Sequence, residues 1–196
     1  MPVASVNGID VAGLVLTPGA SAGRDQPALV AIDTALTADG LRVVRIDFPY
    51  HLAGRRAPDR PPVLMATITA ASDDLAGELG VPTTRIALGG RSMGGRMCSM
   101  AVADGWSAAA LVLISYPLHP PGKPDRLRTE HVGALELPCL FVSGTRDAFG
   151  TRDELEAATA AIPGPVTHVW IEGGDHSLRG KDVQVAEVVR DWVLAL

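Results

Sequence analysis

Six short, almost wholly apolar runs recur along the chain, at residues 11–16, 43–48, 85–88, 110–114, 140–143 and 168–171. Between them lie longer stretches with helical spacing. These run over 27–38, closing at Gly40, and over 63–79, closing at Gly80. Others cover 97–103, a short piece near 126–134, 153–161 and finally 182–196. Strands that do not alternate polar with apolar residues must be covered on both faces, as in a parallel sheet with crossover helices. The strict strand-then-helix order therefore predicts an α/β fold: a doubly wound, mostly parallel sheet of about six strands with helices on both faces. Residues 1–10 leave room for one more short strand around 3–6. We find no repeat, linker or composition break, so the reading is one domain over 1–196.

In such a sheet, chemistry gathers where the strands end. The third run enters Leu88-Gly89-Gly90-Arg91-Ser92-Met93-Gly94-Gly95-Arg96. Gly90, Ser92 and Gly94 form G-x-S-x-G, which has meaning only between a strand and a helix, the context found here. Such a turn lifts the serine hydroxyl off the sheet beside a helix start, where backbone N–H groups are free. The N–H of Met93 is then one expected oxyanion donor. The second is expected from the loop after the first strand, Pro18-Gly19-Ala20, at Ala20 with Gly19 as the alternative.

A serine hydroxyl needs a base, and the base needs an orienting acid. His176 follows the last strand, in Gly173-Gly174-Asp175-His176-Ser177. Asp147 follows the fifth, in Ser143-Gly144-Thr145-Arg146-Asp147-Ala148-Phe149-Gly150. Ser92, Asp147 and His176 thus stand in the chain order expected of an α/β-hydrolase arrangement. His51, His119 and His131 compete for the base role and Asp175 for the acid. Asp153 is the expected cap of the helix that follows Asp147.

These segments resemble the α/β-hydrolase superfamily, and the resemblance covers nearly the whole chain. It is nearest to a compact group of dienelactone-hydrolase type. That group also takes in the α/β-hydrolase-like domains of a testis-expressed protein and of a chromatin acetyltransferase-complex subunit. Asp47-Phe48-Pro49-Tyr50, the arginine loop through Arg60 and Leu127-Arg128-Thr129-Glu130-His131 carry the likeness further. The resemblance implies the hydrolase fold with nucleophile Ser92, acid Asp147 and base His176. One departure is Pro18-Gly19, where members often carry His-Gly.

Composition narrows the partners. Net charge is −5, which offers no general attraction to nucleic acid. No apolar run reaches membrane-spanning length, and the first residues lack the pattern of a secretory signal. The two cysteines, Cys98 and Cys139, sit in apolar patterns, read as buried thiols in a reduced, cytoplasmic setting. No metal-ligand spacing occurs, so neither a metal nor an organic cofactor is expected. A homo-oligomer is compatible with the sequence.

Between the fourth and fifth strands, where larger hydrolases insert a cap, stands only a Pro-rich loop and the short helix near 126–134. The expected site is open and suited to a small acyl substrate. Arg55, Arg56 and Arg91 are candidate contacts to an anionic substrate group, and Arg96 sits near a helix start, where a cation is disfavoured. Its alternative partner is Asp47 or Asp59. The function expected is a serine hydrolase cleaving an ester or related acyl bond. A binding module on the same fold, and an acyltransferase or perhydrolase using the same triad, remain open at this level.

Overall fold

The structure, a computed structural model, describes residues 8, 10–20 and 22–196. The extra strand expected around 3–6 falls outside them. Six strands form one all-parallel sheet: β1 (Gly13–Thr17), β2 (Arg42–Arg45), β3 (Ile86–Arg91), β4 (Leu111–Ile114), β5 (Cys139–Gly144) and β6 (Val166–Ile171). Their spatial order is β2-β1-β3-β4-β5-β6. The helices are α1 (Pro27–Ala38), the single turn α2 (Pro49–Leu52), α3 (Pro61–Leu79), α4 (Met93–Ala103), α5 (Arg152–Thr159) and α6 (Asp182–Leu194).

The chain steps from β1 to β2 in one direction, then returns past β1 to β3 and continues the other way. Right-handed crossovers force helices made in opposite directions onto opposite faces. Accordingly Leu29, Ile32 and Leu36 of α1 join Val185 and Val189 of α6 over Leu14, Leu16, Val112 and Leu140. On the other face Leu64 and Ile68 of α3 and Met97 and Cys98 of α4 cover Val15, Leu88, Leu113 and Phe141. Each strand alternates between the two cores, which is why the strands read as continuous apolar runs. Full burial of one such leucine contributes about 2 kcal/mol.

Some boundaries differ from expectation. β2 ends at Arg45, and only the Ile46 N–H, donating to the Leu16 carbonyl, continues the ladder. α3 starts at Pro61, because prolines in the first turn lack only N–H groups that would have no helical acceptor. The helix expected near 126–134 is not formed. Only Val132–Ala134 makes a single 3-10 turn. The reason is that this segment is tied across to its own loop: the Arg128 N–H donates to the Leu118 carbonyl and its carbonyl accepts from the Tyr116 hydroxyl. Thr151, not Asp153, caps α5. Its hydroxyl accepts from the Glu154 N–H while the Glu154 carboxylate accepts from the Thr151 N–H.

Reversal of direction leaves the ends of β1 and β3 side by side, with Thr17 paired to Gly90. Contact there is very close. A Cβ on Gly90 would lie 1.9 Å from Thr17 Oγ1 and 2.7 Å from its carbonyl, and one on Gly94 would lie 2.5 Å from the Pro18 carbonyl. Gly80 ends α3 in the left-handed region with open space around it. Two glycine-to-alanine changes therefore separate crowding from backbone strain. Gly90→Ala is expected to lower stability by about 3 kcal/mol and Gly80→Ala by about 1 kcal/mol, both read from urea unfolding midpoints.

Candidate active site

Ser92 is the residue between β3 and α4, and its backbone is held at φ 51°, ψ −116°. This region is sparsely populated for a residue with a Cβ, and such strain persists only where the surroundings enforce it. Here the Ser92 N–H donates to the Ile114 carbonyl at 2.8 Å, and its carbonyl accepts from the Arg96 N–H at 3.1 Å. Gly90, Gly94 and Gly95 leave no space for the turn to relax. The hydroxyl is thus set at the C-terminal edge of the sheet.

Ser92 Oγ lies 2.8 Å from His176 Nε2. On the other side of the ring, Nδ1 lies 2.9 Å from Asp147 Oδ2 and 3.0 Å from Oδ1. Asp147 Oδ1 also accepts from the Phe149 N–H at 2.8 Å. The carboxylate is almost wholly buried, with its side chain 2% exposed against 20% for the imidazole. The three residues named from the sequence are therefore brought together in one continuous chain of contacts.

The loop bearing His176 is fixed from several directions. Arg91 Nη2 donates to the His176 carbonyl at 2.5 Å. The Phe149 ring stacks on the imidazole, with centroids 3.9 Å apart. Asp175 is the acid of the turn itself. Its Oδ1 accepts from the Ser177 hydroxyl and from the N–H groups of Ser177 and Leu178. These bonds, the Ser177 hydroxyl first, hold its carboxyl below the usual carboxylate range. Asp175 is thus occupied elsewhere.

The other histidines have their own partners. His51 lies 3.9 Å from Asp47. His119 Nε2 lies 3.4 Å from Glu154. His131 Nε2 lies 2.8 Å from Ser99 Oγ, and His168 Nε2 lies 2.9 Å from Thr159 Oγ1.

A cavity of about 600 Å³ opens over Ser92, and Gly19, Ala20, Gln26, Met93 and His176 are among the residues that line it. The N–H of Met93 sits at the first helical position, which has no acceptor inside the helix. In the β1 loop, the Gly19 N–H donates to Gln26 Oε1 at 3.2 Å. Among the described residues Ala20 bonds only through its carbonyl, which accepts from the Tyr50 hydroxyl. The Gly19 N–H is therefore engaged, whereas the Ala20 N–H has no acceptor among the described residues.

The arginines divide differently from the sequence reading. Arg55 pairs with Asp59 at 2.7 Å, and Arg55 and Arg56 line a separate cavity of about 380 Å³ beside Tyr50 and His51. Arg91 lines the Ser92 cavity but is engaged with the His176 carbonyl, and burial lowers its proton affinity. Neither Asp47 nor Asp59 serves Arg96: Asp47 bonds the Arg24 N–H and pairs with its guanidinium, and Asp59 faces Arg55. Arg96 instead lines the Ser92 cavity together with Arg128. Sequence spacing could have placed Arg96 there, one helical turn after Ser92. Arg128, Gln26 and Phe149 enter from loops or a helix cap, where no periodicity signals orientation.

Among the described residues, no group of three His, Cys, Asp or Glu side chains is placed to hold a metal ion. No helix among them is long and apolar enough to cross a membrane.

Solved structures of similar shape include an alpha-beta serine hydrolase homologue from Coxiella burnetii. It is 18% identical, with TM-score 0.75, covering 95% of this chain and 87% of that one. Est1E from Butyrivibrio proteoclasticus, with ferulic acid bound, is 18% identical with TM-score 0.76, covering 99% and 92%. Dienelactone hydrolase from Anabaena variabilis is 19% identical with TM-score 0.72, covering 93% and 85%. At these identities the likeness establishes the fold. The alpha/beta hydrolase domain profile matches residues 10–190, and the chain belongs to that family.

Proposed function

We propose that the chain is a serine hydrolase cleaving an ester or related acyl bond of a small substrate. The observation that carries this reading is the unbroken relay from Asp147 through His176 to Ser92, with each polar contact between 2.8 and 3.0 Å. Family membership and the fold neighbours support hydrolase chemistry in general. The ester type and the roles of the side chains rest on the relay.

Ser92 Oγ attacks the acyl carbon while His176 Nε2 takes its proton. Asp147 accepts from Nδ1–H, which fixes the tautomer with Nε2 free as base and balances the imidazolium that forms. The N–H groups of Met93 and Ala20 face the oxygen that becomes negative in the tetrahedral intermediate. One such donor is typically worth about 3 kcal/mol of transition-state stabilisation. His176 then protonates the leaving group, and water attacks the acyl-enzyme by the same route in reverse.

The cavity lining favours a small, polar substrate. Arg91, Arg96, Arg128 and Gln26 stand in its wall beside Ala22, Met93, Pro117 and Phe149, which suits a small substrate with a polar group, whereas a long acyl chain needs a broad, wholly apolar groove. The stretch between β4 and β5 carries a loop with one 3-10 turn rather than a helical cap. Cys98 and Cys139 are buried and free, a use of cysteine that suits a reducing, cytoplasmic setting.

Ser92→Ala is expected to abolish both p-nitrophenyl acetate turnover and labelling by a fluorophosphonate. Labelling that persists identifies another nucleophile, and absence of labelling in the unaltered protein favours a binding module. The two acids give a second check. Asp147→Asn is expected to lower kcat about 10⁴-fold, because the asparagine amide disfavours the productive tautomer. Asp175→Asn, which alters only the turn, is expected to fall far less in the same assay.

A further inference from the structure

Three arginines line the Ser92 cavity, and among the described residues none forms a salt bridge; Arg91 is bonded to the His176 carbonyl, which leaves Arg96 and Arg128. Arg96 is four residues after Ser92, so it lies on the same face of α4, about 6 Å along the axis. Helical side chains lean toward the N-terminus, which brings the Arg96 guanidinium back toward the serine. Arg128 reaches the same cavity from the loop between β4 and β5. Among the described residues Arg96 forms no salt bridge and no side-chain hydrogen bond, and its Nε is buried without a partner. Arg128 forms no salt bridge either. Its one side-chain bond is from Nη1 to the Pro117 carbonyl, at a long 3.4 Å.

The surroundings make this arrangement unfavourable by itself. The two guanidiniums are close enough to repel: burial first, then Arg96, lowers the proton affinity of Arg128. Arg96 also stands in the first turns of α4, at the positive end of the helix dipole. Burial and Arg96 together depress His131, so that the Ser99–His131 pair adds no further positive charge. Glu130 acts on Tyr116 and His131, yet pairs with neither arginine. Asp147, the buried acid of the site, is committed to His176. Arg24, Arg42, Arg45, Arg55, Arg85 and Arg190 face carboxylates, and the other arginines without a carboxylate partner among the described residues are exposed to solvent, Arg91 excepted. Guanidinium stays protonated under such pressure, so an anion entering the cavity meets two positive charges that no carboxylate among the described residues pairs with.

We propose that Arg96 and Arg128 form a subsite for a carboxylate on the substrate, so that the enzyme prefers acyl esters that carry a free carboxylate a few bonds from the scissile carbonyl. The proposal rests on Ser92 being the nucleophile. The short reach from Ser92 to Arg96 selects monoesters of short dicarboxylic acids, of which succinate is the simplest probe. A guanidinium matches a carboxylate through two parallel N–H bonds. A phosphate group has the same complementarity, and inorganic phosphate is the competing anion to test.

The measurement is kcat/KM for mono-p-nitrophenyl succinate divided by that for its methyl-capped neutral counterpart. The unaltered protein is expected to give a ratio of at least about ten, since a hydrogen-bonded charge pair of this kind is worth about one to two decades. Arg96→Gln and Arg128→Gln are each expected to bring the ratio toward one. Arg56→Gln, whose side chain lines the other cavity, should leave it unchanged. A ratio near one in the unaltered protein, or a ratio that survives both substitutions, overturns the subsite while Ser92-dependent turnover of the neutral ester leaves the hydrolase reading standing.

If no ester is turned over, the hydrolase reading fails and the subsite is read by binding alone. Free succinate should raise the thermal midpoint of the unaltered protein, and the rise should be lost in both arginine variants. No rise, or an equal rise in the variants, removes the subsite. A rise with inorganic phosphate that exceeds the rise with succinate overturns the choice of carboxylate. Two independent variants guard against one failing to fold, which the unliganded midpoints reveal.

Discussion

Near-contact between β1, β3 and the first turn of α4 governs the site. At Gly90 the backbone of β3 lies so close to Thr17 that a single methyl group would overlap it, and the Gly95 N–H side of the helix lies as near. Thr17 completes the junction by donating its hydroxyl to the Gly89 carbonyl at 3.0 Å and meeting Cys98 Sγ at 3.6 Å. Close-packed interiors do not absorb displacement gradually. The strained Ser92 backbone is therefore held by its neighbours rather than by any preference of its own. A looser junction would let the serine fall back to ordinary strand or helix angles and lower its hydroxyl into the sheet.

The same principle operates at the second loop crossing. Gly144, at the end of β5, lies against the Gly174 carbonyl after β6, with 2.2 Å left for an absent Cβ. The Arg146 N–H donates to the Gly174 carbonyl at 2.8 Å, and its guanidinium bonds the Gly173 carbonyl. These contacts join the loop that carries Asp147 to the loop that carries His176. Parallel pairing then relates both to Ser92, because Ser143 is in register with Trp170 and Arg91 with Ile114. Three side chains far apart in sequence come into hydrogen-bond reach because each leaves the same edge of one sheet.

Much of this was legible in the sequence for a physical reason. Burial on both faces removes polar residues from strands, so β1, β3, β4 and β5 stand out as apolar runs. The glycines around Ser92 exist because the junction has no space, so the motif records packing as well as chemistry. Asp147 and His176 were reachable because topology fixes which loops meet. What escaped was set by contacts across the chain. The segment over 126–134 has helix-compatible composition, yet its backbone bonds go to residues 116 and 118. Thr151 displaced Asp153 as the cap because Glu154 completes a reciprocal pair with it. Arg55 attracted attention as an arginine beside a strand end, but Asp59 one turn away neutralises it. Local charge lists cannot separate a paired arginine from an unpaired one; only the fold does.

That separation bears on the electrostatics of the whole cavity. Arg91 spends its guanidinium on a backbone carbonyl and so braces the base from behind. Its positive charge is partly answered by Asp147, Asp175 and Asp182, all of which raise its proton affinity against burial. Arg96 and Arg128 meet no carboxylate among the described residues and line the cavity over Ser92. In a site of low effective dielectric, fixed positive charge beside a developing oxyanion stabilises it without reorganisation. On the far side of the His176 ring from Ser92, the almost wholly buried Asp147 carboxylate lies 2.9 Å from Nδ1. A neutral substrate leaves this imbalance in place throughout turnover. On the proposed reading, a substrate bringing its own carboxylate removes it at binding, so that ground-state recognition falls to Arg96 and Arg128 and proton transfer to the Asp147–His176 pair.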